Sequence, residues 1–285
     1  MSEIESVAVV GAGFMGTGIA EAVAVSGIPV IVRDVDDAAL ARAGKRIDTS
    51  LARAVRGGKL DGASAGAARD LIDLTTQIEV IGETDLVIEA VPEDARLKLS
   101  VMEAIDAVVA DGAIVASNTS SIPIAELAQA IRQPERVLGL HFFSPVPVMN
   151  LVEVVVALDT SESTVGSAKR FVERLGKRPI ETKDRSGFIV NMLLVPYLMA
   201  AVRMYEEGFA SREDIDNGMK LGCGHPMGPL TLCDFIGLDV LYAVCDSLYE
   251  EFKRDEYAPP PLLKRMVASG RLGRKSGRGF YDYSS

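Results

Sequence analysis

The sequence predicts an α/β protein: a doubly wound, mainly parallel sheet with helices on its faces, followed by an all-helical C-terminal domain. Three observations carry this expectation. Short β-like runs alternate with helical stretches through the first two thirds of the chain, a glycine-rich turn follows the first run, and almost every segment after residue 187 is helical in character.

In chain order the β-like runs are VAVV at 7–10, PVIVRD at 29–34, DLVIEAV at 85–91, AIVASNT at 113–119, VLGLHFF at 137–143 and LVEVVVA at 151–157. Between them, AIDAVVA and IAELAQAI have helical composition, and DDAALARAGKRIDTSLARAVRGGK at 36–59 reads as one amphipathic helix ending at Gly57-Gly58. On that helix Arg42, Arg46, Arg53 and Arg56 share a narrow arc, while Leu40, Ile47 and Leu51 point the other way. After PIETKDRSG the pattern changes: GFIVNMLLVPYLMAAVRMYEEG is helical, and SREDID at 211–216 carries a capping-box start. A boundary near Lys183 to Gly187 follows, giving an α/β domain over 1–185 and a helical domain over 186–285. There is no internal repeat.

Composition narrows the function classes. With 30 Lys and Arg against 40 Asp and Glu the chain carries a formal charge of −10, so bulk attraction to nucleic acid or an anionic membrane is not available. The N-terminus lacks a basic region followed by an apolar stretch, and the longest apolar run is too short for a bilayer, so a cytoplasmic protein is expected. Cys223, Cys233 and Cys245 show no C-x-x-C spacing, which argues against a disulfide framework or a zinc site.

In VAVVGAGFMGTGIAEAV, Gly11, Gly13 and Gly16, with Phe14 and Met15 between them, stand after a strand and at the opening of a helix. That is the context of a Rossmann-type dinucleotide site: the first glycine allows the tight turn, the second lets backbone approach a pyrophosphate, and the third lets the helix pack closely. Asp34, eighteen residues beyond Gly16 at the end of the next run, can accept hydrogen bonds from both hydroxyls of an adenosine ribose. Its charge would repel a 2′-phosphate, which favours NAD over NADP. Arg33 is the residue that would argue the other way.

The chain has two histidines. His141 ends one β-like run and Glu153 lies near the start of the next, so folding back through SPVPVMN brings the two side chains within reach. A carboxylate beside an imidazole fixes its tautomer and stabilises its protonated form, which suits a general base. The same two residues would also fit a satisfied core histidine and a strand-end glutamate.

Five blocks, ASNTSS at 116–121, GLHFFSPVPVMNLVEVV at 139–155, DRSGFIVNMLLVPYLMAA at 184–201, HPMGPL at 225–230 and KSGRGFYDY at 275–283, closely resemble the L-3-hydroxyacyl-CoA dehydrogenase family, in order and over essentially the whole chain. Bacterial members acting on 3-hydroxybutyryl-CoA are nearest in length. The resemblance implies oxidation of the 3-hydroxyl of an acyl thioester to a ketone, with hydride passing to NAD. His141 matches the family's general base, Glu153 the residue that orients it, Ser120 a contact to the substrate oxygen and the cofactor, and Asn191 a polar group from the helical domain that positions base and substrate. Glu93 and Lys98 match residues near the nicotinamide half of NAD, and Lys275 matches a further cofactor contact. His225 sits where the family places no base, and reads as structural.

The family holds the CoA phosphates near the arginine-bearing helix, where Ser50 matches one contact and Arg53, Arg56 and Lys59 are candidates for others. Departures from the family pattern are visible: Gly57 replaces a lysine that some members carry on that helix, Ser144, a further substrate-binding candidate, stands where many have an asparagine that contacts substrate, and Asn150 replaces a frequent lysine. They leave the chemistry intact and bear on the carrier, so an acyl carrier protein is an alternative to CoA. The resemblance also implies a homodimer formed by the helical domain. From another class, a non-catalytic NAD-binding sensor or structural protein is the rival reading, against which the joint presence of Ser120, His141, Glu153 and Asn191 argues.

Overall fold

A computed structural model describes residues 3–284. The chain divides into two compact units, Met1–Asp184 and Arg185–Ser285. In the first, β1 (Val7–Val10), α1 (Phe14–Val25), β2 (Val30–Arg33), α2 (Asp37–Arg56), α3 (Gly62–Asp70) and β3 (Ile72–Thr75) form one half of the sheet. The other half comprises β4 (Leu86–Glu89), α4 (Ala95–Asp106), β5 (Ile114–Ser117), α5 (Ile124–Ala128), β6 (Val137–Phe142), β7 (Leu151–Val156), α6 (Glu162–Arg174) and β8 (Arg178–Lys183). The strand order is β3-β2-β1-β4-β5-β6-β7-β8. All neighbours are parallel except β6 and β7.

The direction of winding reverses at β1, which pairs β2 on one side and β4 on the other. In open parallel sheets the crevice at the carboxyl ends of such strands is where ligands bind. All six runs expected from the sequence form strands. Two further strands had no comparable signal: IDLT at β3 is short and half polar, and RPIETK at β8 is an edge strand. None of the β8 residues is buried, and Pro179 stands second in it, so the apolar period that marks a buried strand is missing.

Helix α2 starts at the Asp36 cap, whose carboxylate accepts from the Ala38 N–H at 2.8 Å, and stops before Gly57 and the left-handed Gly58. Leu40, Ile47 and Leu51 are buried, as the period requires. On one face of the sheet an apolar cluster that includes Val9, Ile88 and Leu138 packs against Ile19 of α1, Ile47 of α2 and Phe171 of α6. Val87, Val115 and Val137 are buried on the other face, and Met102 of α4 and Ile124 of α5 are buried too.

In the second unit, α7 (Val190–Glu206), α8 (Arg212–Cys223), α9 (Pro229–Ile236), α10 (Leu238–Phe252) and α11 (Pro261–Ala268) enclose their own core around Leu198, Leu230, Leu241 and Leu263. Ser211 caps α8 by accepting from the Asp214 N–H, the N-cap half of the expected box, and donates its hydroxyl to the Asp214 carboxylate. No helix among the described residues is long and apolar enough to cross a membrane.

One cap comes from far along the chain. The short helix α5 follows Pro123 and has no local side-chain cap, yet Asp184 accepts from the N–H groups of Ile124 at 2.8 Å and Ala125 at 2.7 Å. An anionic acceptor on two orphan donors stabilises more than a neutral cap. Replacing Asp184 by Ala is expected to lower the stability of the α/β unit by about 1–3 kcal/mol, read as an earlier urea midpoint for the transition of that unit.

Candidate active site

The turn after β1 is shaped by its glycines. Gly11 has φ +112°, and a Cβ there would lie 2.6 Å from the Ala90 carbonyl oxygen; a Cβ on Gly16 would meet the Gly11 oxygen at 1.8 Å. Both positions therefore exclude a side chain. Gly13 differs, because a Cβ there would meet nothing within 4 Å: its hydrogen faces open space over the start of α1. Helix α1 has no side-chain cap and no acid in its first turn, so its leading N–H groups are offered to an external anion. Asp34 faces the same turn, with Oδ2 accepting from the Ala12 N–H and Oδ1 from the Val35 N–H, both at 2.7 Å. This open cradle beside a fixed carboxylate fits a dinucleotide. Phe14, exposed, and Met15, half-buried, begin the helix.

The next two strands deliver a buried charge network. Glu89 ends β4 in register with Val10 of β1 and Ser117 of β5, and its side chain is fully buried. The Lys98 ammonium, on α4, lies 2.8 and 2.9 Å from the two Glu89 oxygens, 3.2 Å from the Val91 carbonyl oxygen and 3.3 Å from Glu93 Oε2. The sequence leaves Lys98 between a cofactor contact and a solvated surface charge. Its side chain is 1% exposed, and its donors face protein acceptors.

The other Glu93 oxygen holds the loop after β5. It accepts from the Thr119 hydroxyl at 2.7 Å, the Ser120 N–H at 2.8 Å and hydroxyl at 3.3 Å, and the Ser121 hydroxyl and N–H at 3.0 and 3.1 Å. Burial pushes the Glu93 carboxyl up, but the Lys98 charge and these hydrogen bonds outweigh it and hold the group below the usual carboxylate range. Glu89 is a residue that sequence reasoning missed, although an acid inside the apolar run LVIEAV at 86–91 was a signal.

His141 and Glu153 stand directly opposite each other in the antiparallel β6–β7 pair. His141 Nδ1 lies 2.6 Å from Glu153 Oε2, with both side chains buried. The Phe143 ring packs 4.6 Å from the imidazole, centroid to centroid. Asn118 Oδ1 accepts from the Phe142 N–H at 2.9 Å, which ties the Ser120 loop to the histidine strand. The β6–β7 connection is pinned by buried Lys177, whose ammonium donates to the Val146 and Met149 carbonyls at 2.7 and 2.8 Å; exposed Ser144 begins it.

A cleft opens where α1, α2 and this connection meet, lined among others by Phe14, Glu21, Arg46, Ser50, Arg53 and Val146. Ser50 donates to Glu21 at 2.9 Å. Burial pushes the Glu21 carboxyl up, against the Ser50 hydrogen bond and the Arg53 charge. Of the expected thioester contacts, Ser50 and Arg53 border this cleft, whereas Arg56 and Lys59 are exposed and do not line it. The second unit carries the remaining two candidates. Asn191 is the second residue of α7, and Lys275 is ion-paired with Asp239 at 2.6 Å. There too, His225 Nδ1 pairs with the Tyr197 hydroxyl at 3.1 Å.

Comparison with known proteins agrees over the whole chain. The profile for the NAD binding domain of 3-hydroxyacyl-CoA dehydrogenase matches residues 6–185, and that for the C-terminal domain matches residues 187–283. A 3-hydroxybutyryl-CoA dehydrogenase of Mycobacterium tuberculosis is 50% identical over 282 residues, covering 98% of this chain and 99% of that protein. The human mitochondrial hydroxyacyl-coenzyme A dehydrogenase is 42% identical over 287 residues, covering 98% and 91% respectively. The crystal structure of (S)-3-hydroxybutyryl-CoA dehydrogenase from Ralstonia eutropha superposes with a TM-score of 0.94 at 46% identity, over 99% of this chain and all of that one. With both profiles matched in order and relatives of this identity aligned end to end, the chain belongs to the 3-hydroxyacyl-CoA dehydrogenase family.

Proposed function

We propose that this protein oxidises L-3-hydroxyacyl-CoA thioesters reversibly to 3-ketoacyl-CoA with NAD, acting on short chains such as 3-hydroxybutyryl-CoA. The observation that carries the reading is the buried His141–Glu153 pair on a dinucleotide-binding sheet. Bound NAD supplies the acceptor for the hydride that leaves C3. Gly11, Gly13, Gly16 and the start of α1 hold the pyrophosphate, and Asp34 accepts from the ribose hydroxyls.

His141 collects the hydroxyl proton. With Nδ1–H donated to Glu153, the basic lone pair of the ring is on Nε2, so one nitrogen is oriented by the carboxylate and the other takes the proton. The Glu153 charge balances the imidazolium that forms. Glu93 holds the Ser120 backbone through its N–H, and the Ser120 hydroxyl turns its proton from the long 3.3 Å bond to Glu93 toward the substrate oxygen as that oxygen changes from alcohol to ketone. Ser50 and Arg53 hold the carrier end of the thioester, supported by their place at the cleft.

The likeness to relatives named for CoA esters favours CoA over an acyl carrier protein as the handle. Exposed apolar side chains on the second unit, Leu193, Phe209 and Leu221, support a homodimer through the helices. A cytoplasmic setting is consistent with three free cysteines.

The direct test follows NADH with 3-hydroxyacyl thioesters of varied length and both stereochemistries, on CoA and on acyl carrier protein, with NADP as control. Fastest turnover is expected for the short L-3-hydroxyacyl-CoA esters with NAD. His141→Gln is expected to bind NAD normally in a titration while losing about 10²- to 10⁴-fold in kcat, the usual cost of removing a general base. Glu153→Gln keeps the shape of the partner but can donate an amide N–H to Nδ1, which favours the tautomer protonated at Nε2. A loss of about 10²- to 10⁴-fold in kcat in a folded protein is expected. Arg53→Ala should raise KM for the CoA ester roughly tenfold, equivalent to one lost charge-assisted contact, and leave KM for a truncated thioester lacking phosphates unchanged.

A further inference from the structure

We propose that Glu89 is a positioning residue of this reaction: by fixing Lys98 it fixes Glu93, and through Glu93 it sets the position of Ser120. This rests on the reading of Ser120 as a contact of the reacting oxygen. The chain of contacts is continuous. Glu93 lies on the loop between β4 and α4 with its side chain 36% exposed, so on its own it would be free to turn toward solvent. Lys98 holds Oε2, which leaves Oε1 aimed at the β5 loop, where five donors from Thr119, Ser120 and Ser121 converge on it.

Glu89 is the fully buried anion beneath Lys98, with Glu93 as its second, more distant one. A buried ammonium without an anion would be severely destabilising, whereas Glu89 presents both oxygens to it. Glu89 is in turn held on both sides. Its Oε1 accepts from the Val91 N–H at 2.6 Å and its Oε2 from the Ser117 hydroxyl at 2.5 Å, three residues before Ser120. One carboxylate therefore joins the end of β4, the loop that carries Glu93, helix α4 and the end of β5.

Stability does not require charges in these positions. Replacing a buried ion pair by residues of similar volume is often neutral or stabilising, so a pair of this kind is weak evidence for a role in holding the fold. Its geometry instead fits a device that converts the rigid carboxyl edge of the sheet into a fixed position for a loop hydroxyl. Small displacements of a group that contacts the reacting atoms suffice to matter, since about 1 Å can cost about 10²-fold in rate.

The experiment is a double-mutant cycle between E89Q and S120A, with kcat and both KM values measured in each variant. E89Q alone is expected to lower kcat by about 10- to 100-fold while KM for the thioester stays within about twofold. In the S120A background E89Q should cause no further loss, because its effect passes through Ser120. Losses that multiply would overturn the proposal and leave the role of Ser120 standing. A fully active S120A would overturn both. Should E89Q alone fail to fold, E89Q combined with K98M removes both charges of the fully buried pair and leaves Glu93, 36% exposed, without its cation. The same loss in kcat and the same non-additivity are expected of that pair, and wild-type kcat in it would reject the proposal.

Discussion

The register of β6 against β7 is the constraint on which the site depends. Side chains alternate faces along a strand, so the pairing that sets His141 opposite Glu153 also sets Leu140 opposite Val154 and Phe142 opposite Val152. A slip of one residue would send Glu153 to the opposite face, away from His141. Both faces are covered there, since every residue of β6 is buried, as are the four central residues of β7. The antiparallel turn-back is the single break in an otherwise parallel sheet. It puts His141 and Glu153 on adjacent strands without a helical crossover between them.

The remaining contributions come from the carboxyl ends of the parallel strands. β1 runs into the glycine turn, β2 into Asp34, β4 into Glu89 and the Glu93 loop, and β5 into the Ser120 loop. Parallel strands deliver these ends to one edge by construction, so residues scattered from 11 to 121 in the sequence meet there. Contacts between the loops then sharpen the arrangement. The Gly11 N–H donates to the Arg33 carbonyl at 2.8 Å, Asp34 holds the Ala12 N–H, and Asn118 reaches across to β6. The polar groups of the loops bond to each other and to strand ends.

What could be read from the sequence follows from how local each signal is. The glycine turn, the six apolar strands and the amphipathic α2 are properties of short windows, and they appear in the structure where the residues suggest. The network around Lys98 is not local. Its members come from β4, the following loop, α4 and the end of β5, and nothing in ARLKLSVMEAID alone distinguishes a buried ammonium from a solvated one. Asp184 is a similar case: in KDRSG it looks like a linker residue, and only the fold shows it capping a helix sixty residues earlier. Strand β8 escaped notice because an edge strand has no need of buried side chains.

The cleft between α1, α2 and the β6–β7 connection shows the same interplay between local and bulk properties. A chain with net charge −10 does not attract a polyanion as a whole, so any hold on phosphates must be short-ranged. Arg46 and Arg53 border the cleft, while Glu21 lies at its wall between helices α1 and α2 with the Ser50 hydroxyl donating to it. Because that hydrogen is directed to Glu21, Ser50 offers lone pairs to a ligand and suits an N–H donor better than a phosphate oxygen. The cleft thus divides into a cationic part that suits phosphate and a carboxylate-backed part that suits the amides of a pantetheine arm. CoA and a phosphopantetheine arm both carry a phosphate and pantetheine amides, and CoA adds the nucleotide, so contacts to the nucleotide are what separate the two handles.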